Sequence, residues 1–384
     1  MAASVAAGRA LAEDVAAPSK PVEDRASSIK ITGLLATRAG GKVYVRIDTS
    51  HKISGWGEIT GLEPDVAAAL ARSQYELLDG ENPTRIEYLW QKVFRANRNM
   101  RGGSFETGVL SAFDMALWDI AGKLHGVPVY RLLGGPCREK VRLYPSAKAY
   151  KIGPGGHVDW SGSPKVVEKF VAEVQKVRER VGPDGAVMFD AHSSLPPPVL
   201  IQFANAVRAH DLLFIEEPAV PGNIEVFKRI KAAVSVPLAC GERDRTIWGV
   251  IPYLHERCID ILQPDCGQTG GISQVRKIAT LAEAYTVPIA PHCTMSELGL
   301  TASLHAAASI PNFLIHEAYL DGHIMPAGVA RKTWTVDKDG NASLPEGPGL
   351  GVEIDLAAVE EANKTKKGFK WNAAKSPDGS IRDY

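Results

Sequence analysis

The chain has 384 residues, 45% of them hydrophobic and 23% charged, with 44 Lys plus Arg against 44 Asp plus Glu. A net charge of zero gives no pull toward nucleic acid or an anionic membrane, and no stretch is long and apolar enough to cross a bilayer. The length suggests two or three domains, although a (β/α) barrel takes about 250 residues as a single unit.

Residues 1–28 read as a disordered leader. Its first part, MAASVAAGRALA, ends in Ala10-Leu11-Ala12, an A-x-A site of the kind a signal peptidase cuts, but it has no basic n-region and only a short apolar core. The expectation is a cytoplasmic protein, or an exported one if this piece is the tail of a longer signal. From Ser28 the runs 29–36, 43–48 and 55–59 have strand character. Three helical patterns follow, at 64–78, 84–96 and 104–125. The last carries Val109, Ala112, Phe113, Ala116, Ile120 and Leu124 on one face, and Gly126 and Pro128 stop it. Strands followed by helices make 29–135 a small α+β domain.

From Val141 short apolar strands alternate with amphipathic helices. In the helix 164–181, Ser163 is the expected N-cap, Pro164 the first residue, and Val166, Val167, Phe170, Val171, Val174 and Val177 the apolar stripe. Repetition of this unit implies a parallel sheet. The five cysteines (Cys137, Cys240, Cys258, Cys266, Cys293) are widely spaced, and four fall in or beside apolar strands, so they read as free thiols.

Each later strand ends in an ionisable residue: Asp190, Glu216, Glu242, Asp265, His292 and Glu317, at steps of 26, 26, 23, 27 and 25 residues. That period is one β/α unit, and a closed barrel brings such ends to one mouth, where barrel enzymes do their chemistry. Asp190, Glu216 and Glu242 would then face one another. Two carboxylates 4 Å apart repel by roughly 4 kcal/mol at an effective dielectric near 20. Either basic side chains such as the adjacent Arg243 neutralise them or a cation does, and all-oxygen donors suit Mg²⁺. Asp265 and His292 end successive strands, so the carboxylate can orient the imidazole as a general base. His192 lies two residues after Asp190, and strand alternation puts both on one face. A hard cation that stabilises charge on a substrate carboxylate, a His base and a His acid together suit removal of an α-proton followed by loss of a β-hydroxyl.

At these residues the chain resembles the enolase superfamily, in its mandelate racemase subgroup and most closely the galactonate dehydratase type. The likeness runs over about 29–384. It rests on GWGE from Gly55, AFDMALWDIAGKLHGVPVYRLLGG from Ala112, FDAH from Phe189, IEEP from Ile215, GER from Gly241, QPD with GGI from Gln263, and APH from Ala290. The resemblance implies a TIM-like (β/α)7β barrel over 136–349, the α+β domain 29–135 as its cap, and a segment 350–384 that returns to the cap near Trp371 and DGSI. It implies Asp190, Glu216 and Glu242 as Mg²⁺ ligands, His292 with Asp265 as the base, His192 as the acid, and Glu317 near the substrate carboxylate. The loops 36–42 and 54–61 and the basic stretch 95–101 are candidates for substrate contact, with Lys151, His157 and Arg243. The implied partner is a small sugar acid, and the implied assembly a homo-oligomer.

Two departures stand out. Where many racemases of the subgroup carry Lys-x-Lys, this chain reads Lys151-Ile152-Gly153, which disfavours a two-base racemase and favours a dehydratase. The first two barrel strands, 141–146 and 148–152, are separated by a residue or two, whereas a parallel crossover needs a dozen or more. The first barrel helix is therefore missing. Besides dehydration, two other outcomes remain open: racemisation, epimerisation or cycloisomerisation of a related acid, and a noncatalytic metal-binding barrel.

Overall fold

A computed structural model describes residues 28–154, 164–320, 328–365, 375 and 378–381. The leader before Ser28, His157, Ser163 and Trp371 lie outside the described residues. The chain opens with an antiparallel sheet of order β1-β2-β3, formed by β1 (Ile31–Ala39), β2 (Lys42–Thr49) and β3 (Ser54–Ile59). Four helices follow: α1 (Pro64–Ser73), α2 (Ile86–Ala96), α3 (Ser104–His125) and the short α4 (Val129–Leu132). The pattern expected as one helix over 64–78 divides, because a 3-10 turn over Gln74–Leu77 succeeds α1.

The helix α3 departs from the one-faced expectation. Every residue from Glu106 to Gly122 except Trp118 is buried. The reason is its position between the cap sheet and the barrel. On one side β3 comes so close that a methyl built on Gly57 falls 2.0 Å from the carbonyl oxygen of Ala112, so the glycines of GWGE serve close approach. On the other side Asp114 accepts from Ser273 N at 3.0 Å, and Trp118 Nε1 donates to Ser273 Oγ at 2.9 Å. Asp119, fully buried, accepts from Trp56 N at 3.0 Å and Leu350 N at 2.8 Å, tying β3 to the later chain.

The second region alternates as expected: β4 (Lys140–Tyr144), β5 (Ala149–Ile152), α5 (Pro164–Val181), β6 (Ala186–Asp190), α6 (Pro197–Ala206), β7 (Phe214–Glu216), α7 (Ile224–Ala233), β8 (Leu238–Cys240), α8 (Thr246–Glu256), β9 (Ile261–Leu262), α9 (Gly271–Ala284), α10 (Glu297–Ser309) and β10 (His316–Glu317). The strands β5-β6-β7-β8-β9 form a parallel sheet in that order. Parallel bridges from Leu262 to Ile289 and from Ile289 to Phe313 carry the ring onward, and β10 pairs in parallel with β4. The glycines expected to stop helices do so in the left-handed conformation: Gly126 has φ 70° and Gly182 φ 76°.

Between β4 and β5 there is no helix, only Pro145–Lys148. Ser146 N donates to Ala149 O at 2.7 Å in a tight turn. The barrel tolerates this because it closes as a packed layer and not as a continuous ladder. Tyr144 and Ala149 sit in one buried cluster with Ala186, Met188, Phe214, Ala239, Ile261, Ala290 and Ile315. After β11 (Ala330–Lys332), the strand β12 (Asn341–Ser343) runs antiparallel along β4 and takes up backbone groups that a neighbouring barrel strand would otherwise satisfy. Ion pairs from Lys140 to Asp337 and from Lys148 to Asp339, each 2.8 Å, brace the hairpin leading into β12.

The chain then runs through β13 (Val352–Ile354), paired with β11, into α11 (Leu356–Thr365). Asn363 binds the β1–β2 turn, accepting from Gly40 N and donating to Arg38 O, both at 2.7 Å. Among the described residues no helix is long and apolar enough to cross a membrane. Cys137 is exposed, and the other four cysteines are buried thiols.

Candidate active site

Inward side chains follow the two-residue pleat. Ala186 and Met188 are followed by Asp190, Phe214 by Glu216, Ile261 by Gln263 and Asp265, Ala290 by His292, Ile315 by Glu317, and Ala149 by Lys151. One step toward the carboxyl ends of the strands thus converts an apolar plug into a ring of ionisable groups. Asp190, Glu216 and Glu317 end β6, β7 and β10; Glu242 lies two residues beyond β8, and Asp265 three beyond β9.

His292 Nδ1 lies 2.6 Å from Asp265 Oδ2, and its Nε2 lies 3.5 Å from Glu242 Oε2 and 3.6 Å from Glu317 Oε2. Burial pulls the imidazole down, but Glu242, Glu317 and Asp265 outweigh it and hold it well above its ordinary value. His192 reaches the site by a different route from the one the sequence suggested. The strand stops at Asp190, and a left-handed turn with φ 45° at His192, not strand alternation, brings Nε2 to 2.9 Å from Asp190 Oδ2. That hydrogen bond raises the imidazole against its partial burial.

The sequence named Lys151 as a substrate contact and as the lone lysine where others carry Lys-x-Lys, and the structure puts it at the centre of the carboxylates. Its Nζ lies 3.0 Å from Asp190 Oδ2, 3.0 Å from Glu216 Oε1 and 2.8 Å from Glu317 Oε1. Burial drives all three carboxyls up. The ammonium reverses this for Asp190 and Glu317, which fall below their ordinary values. Glu216 stays well above its own, through burial and then the charge of Asp190. Among the described residues no three His, Cys, Asp or Glu side chains are gathered at ligating range, since Lys151 stands between Asp190 and Glu216 while Glu242 leans toward His292. Arg243 bonds Glu217 and, at 2.6 Å, Ser193 Oγ.

The cap reaches this mouth through side chains that hold the segment after His292. Glu58 of GWGE, fully buried, accepts from Ser296 N at 2.9 Å and Gly299 N at 3.1 Å, and so caps α10 just after the His292 loop. Tyr44 donates to Ser296 Oγ at 2.7 Å, and Lys42 to Thr294 O at 2.7 Å. The stretches 36–42 and 54–61, expected as loops, are mostly strand in β1, β2 and β3, and Lys42 and Glu58 join this grip from β2 and β3. In the basic stretch 95–101, Arg95 and Arg101 line a cavity of about 520 Å³ with Gln91, Phe94 and Trp248.

Comparison with known proteins agrees with this fold. Residues 28–134 match the mandelate racemase / muconate lactonizing enzyme N-terminal domain, and residues 138–359 the enolase C-terminal domain-like family. A D-galactonate dehydratase of Variovorax paradoxus is 31% identical, and one of Ralstonia pickettii 32%; each alignment covers 93% of this chain and all of the relative. The crystal structure of an enolase from Agrobacterium radiobacter, bound to sodium and L-malate, superposes with a TM-score of 0.83 at 31% identity, over 92% of this chain and 99% of that one.

Proposed function

The chain belongs to the mandelate racemase / muconate lactonizing enzyme family of the enolase superfamily, and on that premise we propose that it is a sugar-acid dehydratase, a hydro-lyase acting on an aldonate such as galactonate. The observation that carries the reading is a pair of carboxylate-bound imidazoles at one barrel mouth, His292 on Asp265 and His192 on Asp190.

Asp265 occupies Nδ1 of His292 and leaves Nε2 to take the C2 proton. The electron pair of the broken C–H bond passes first onto the substrate carboxylate, giving an enediolate that can return the proton, and then forms the C2–C3 double bond of an enol. The 3-hydroxyl departs with a proton from His192 and leaves as water. The enol then tautomerises to a 2-keto-3-deoxy acid. Lys151 and Glu317, 2.8 Å apart, are assigned to the substrate carboxylate end.

Asp190, Glu216 and Glu242 are the residues we assign to Mg²⁺. The donor chemistry fits: all three are carboxylates at or just beyond the ends of consecutive barrel strands, and burial and then the charge of Asp190 hold Glu216 well above its ordinary value. A divalent cation there supplies Lewis acidity toward the charge that develops on the substrate carboxylate. The sodium and L-malate, a 2-hydroxy acid, in the Agrobacterium enolase support this class of ligand. A homo-oligomer in the cytoplasm completes the reading.

Incubation with C5 and C6 aldonates and Mg²⁺ tests it. The expected results are a 2-keto-3-deoxy product and, in deuterated water, exchange at C2. Exchange without loss of water would replace dehydration by epimerisation, and the absence of both would overturn the enzyme reading.

A further inference from the structure

The proposed function gives Asp190 and Glu216 to a divalent cation, yet the fold already supplies both with a cation of its own. An ammonium has three N–H groups, and Lys151 faces one carboxylate for each: Asp190 at 3.0 Å, Glu216 at 3.0 Å and Glu317 at 2.8 Å. Its side chain is 12% exposed. The strand pairing β5 to β6 sets Lys151 opposite Met188, one pleat step below Asp190, and Nζ lies 5.7 Å from the centre of the Tyr144 ring. The ammonium is therefore aimed at the carboxylates by the backbone. Gly153, the residue after the strand, adds no second charge beside it.

We infer that Lys151 is a tethered counter-cation that competes with the divalent metal for Asp190 and Glu216, so that metal loading is an exchange of cations. The inference rests on the metal assignment above. An ammonium and a divalent ion drawn to the same two carboxylates repel each other strongly in a site shielded from water. Glu317 is the acceptor that remains for the displaced ammonium. In the metal-free protein the same lysine offsets the mutual repulsion of three buried carboxylates, which otherwise pushes against folding. Removing Lys151 should therefore act in opposite directions on the two states, weakening the metal-free fold and strengthening metal binding.

Titration calorimetry with Mg²⁺ alone, at pH 8 and low ionic strength, tests this on the full chain, K151M and K151R, alongside melting curves with and without Mg²⁺. The expected result is that K151M binds Mg²⁺ at least about tenfold more tightly than the parent, melts lower without metal and gains more on metal addition, while K151R stays within about threefold of the parent. Should K151M fail to fold, K151Q is neutral, can still donate to two carboxylates, and gives the same readout. Equal or weaker Mg²⁺ binding by the neutral variant overturns the exchange and leaves the proposed function standing. No Mg²⁺ binding by any of the proteins overturns the metal assignment itself.

Discussion

Two levels of the same barrel, one pleat apart, have opposite chemistry. The lower level, with Tyr144, Ala149, Ala186, Met188, Phe214, Ala239, Ile261, Ala290 and Ile315, is a dry plug. The upper level, with Lys151, Asp190, Glu216, His292 and Glu317, is nearly as buried but consists of ionisable groups, one ammonium facing three carboxylates and an imidazole beside Glu317. The lower level gains by removal of apolar surface from water, and the upper gives up some of that gain to hold groups that only a ligand fully satisfies. Stability and chemistry are thus separated by about one pleat step of two residues, and substitutions at the two levels should fail differently.

The largest effect should come from His292→Asn. Loss of the base should lower the rate of C2 exchange by about 10³-fold or more, with a melting temperature close to that of the parent. Exchange persisting near the parental rate would move the base elsewhere. Met188→Ala, one level down, should do the reverse. A cavity in the plug costs roughly 2–5 kcal/mol in denaturant unfolding, while turnover by the remaining folded protein survives. A catalytic loss without a stability loss would mean that the two levels are coupled.

Glu216→Gln sharpens the comparison from the upper side. Neutralising a buried carboxyl already held high should leave the metal-free protein as stable or more so by about 1 kcal/mol, and Mg²⁺ should no longer raise its melting temperature. A fourth and smaller effect is one of pH, away from the site. Burial pushes Asp114 up from an ordinary 3.8 to about 7, against its bonds from Ser273. The folded state therefore binds more protons than the unfolded state between about pH 4 and 7, and stability falls as pH rises through that window. Asp114→Asn should make that fall shallower in melting curves taken across it. An unchanged slope would assign the pH dependence to other groups.

The period of about 25 residues between ionisable strand ends made most of the mouth legible, because each β/α unit must return the chain to the same end of the barrel. The pairing of Asp265 with His292 followed from their ending successive strands. His192 was found for an incomplete reason, since a left-handed turn rather than the pleat delivers it. Glu58 was in view as part of GWGE, in a stretch expected to touch substrate, but not as the cap of α10, because that partner lies 238 residues away. The burial of α3 on all sides escaped notice for the same reason: periodicity registers the face toward one neighbour, and this helix has a sheet on one flank and the barrel on the other.

By itself the sequence determined the family, the alternation of elements, the missing helix after β4 and the residue types at the mouth, because these are local or periodic properties of the chain. Only the tertiary structure decided how the barrel closes without that helix, by letting β12 cover the edge of β4, and which cation stands among the carboxylates. Both depend on distances between segments far apart in the chain. No local pattern encodes that Lys151 lies within 3.0 Å of Asp190 and Glu216 and nearer still to Glu317.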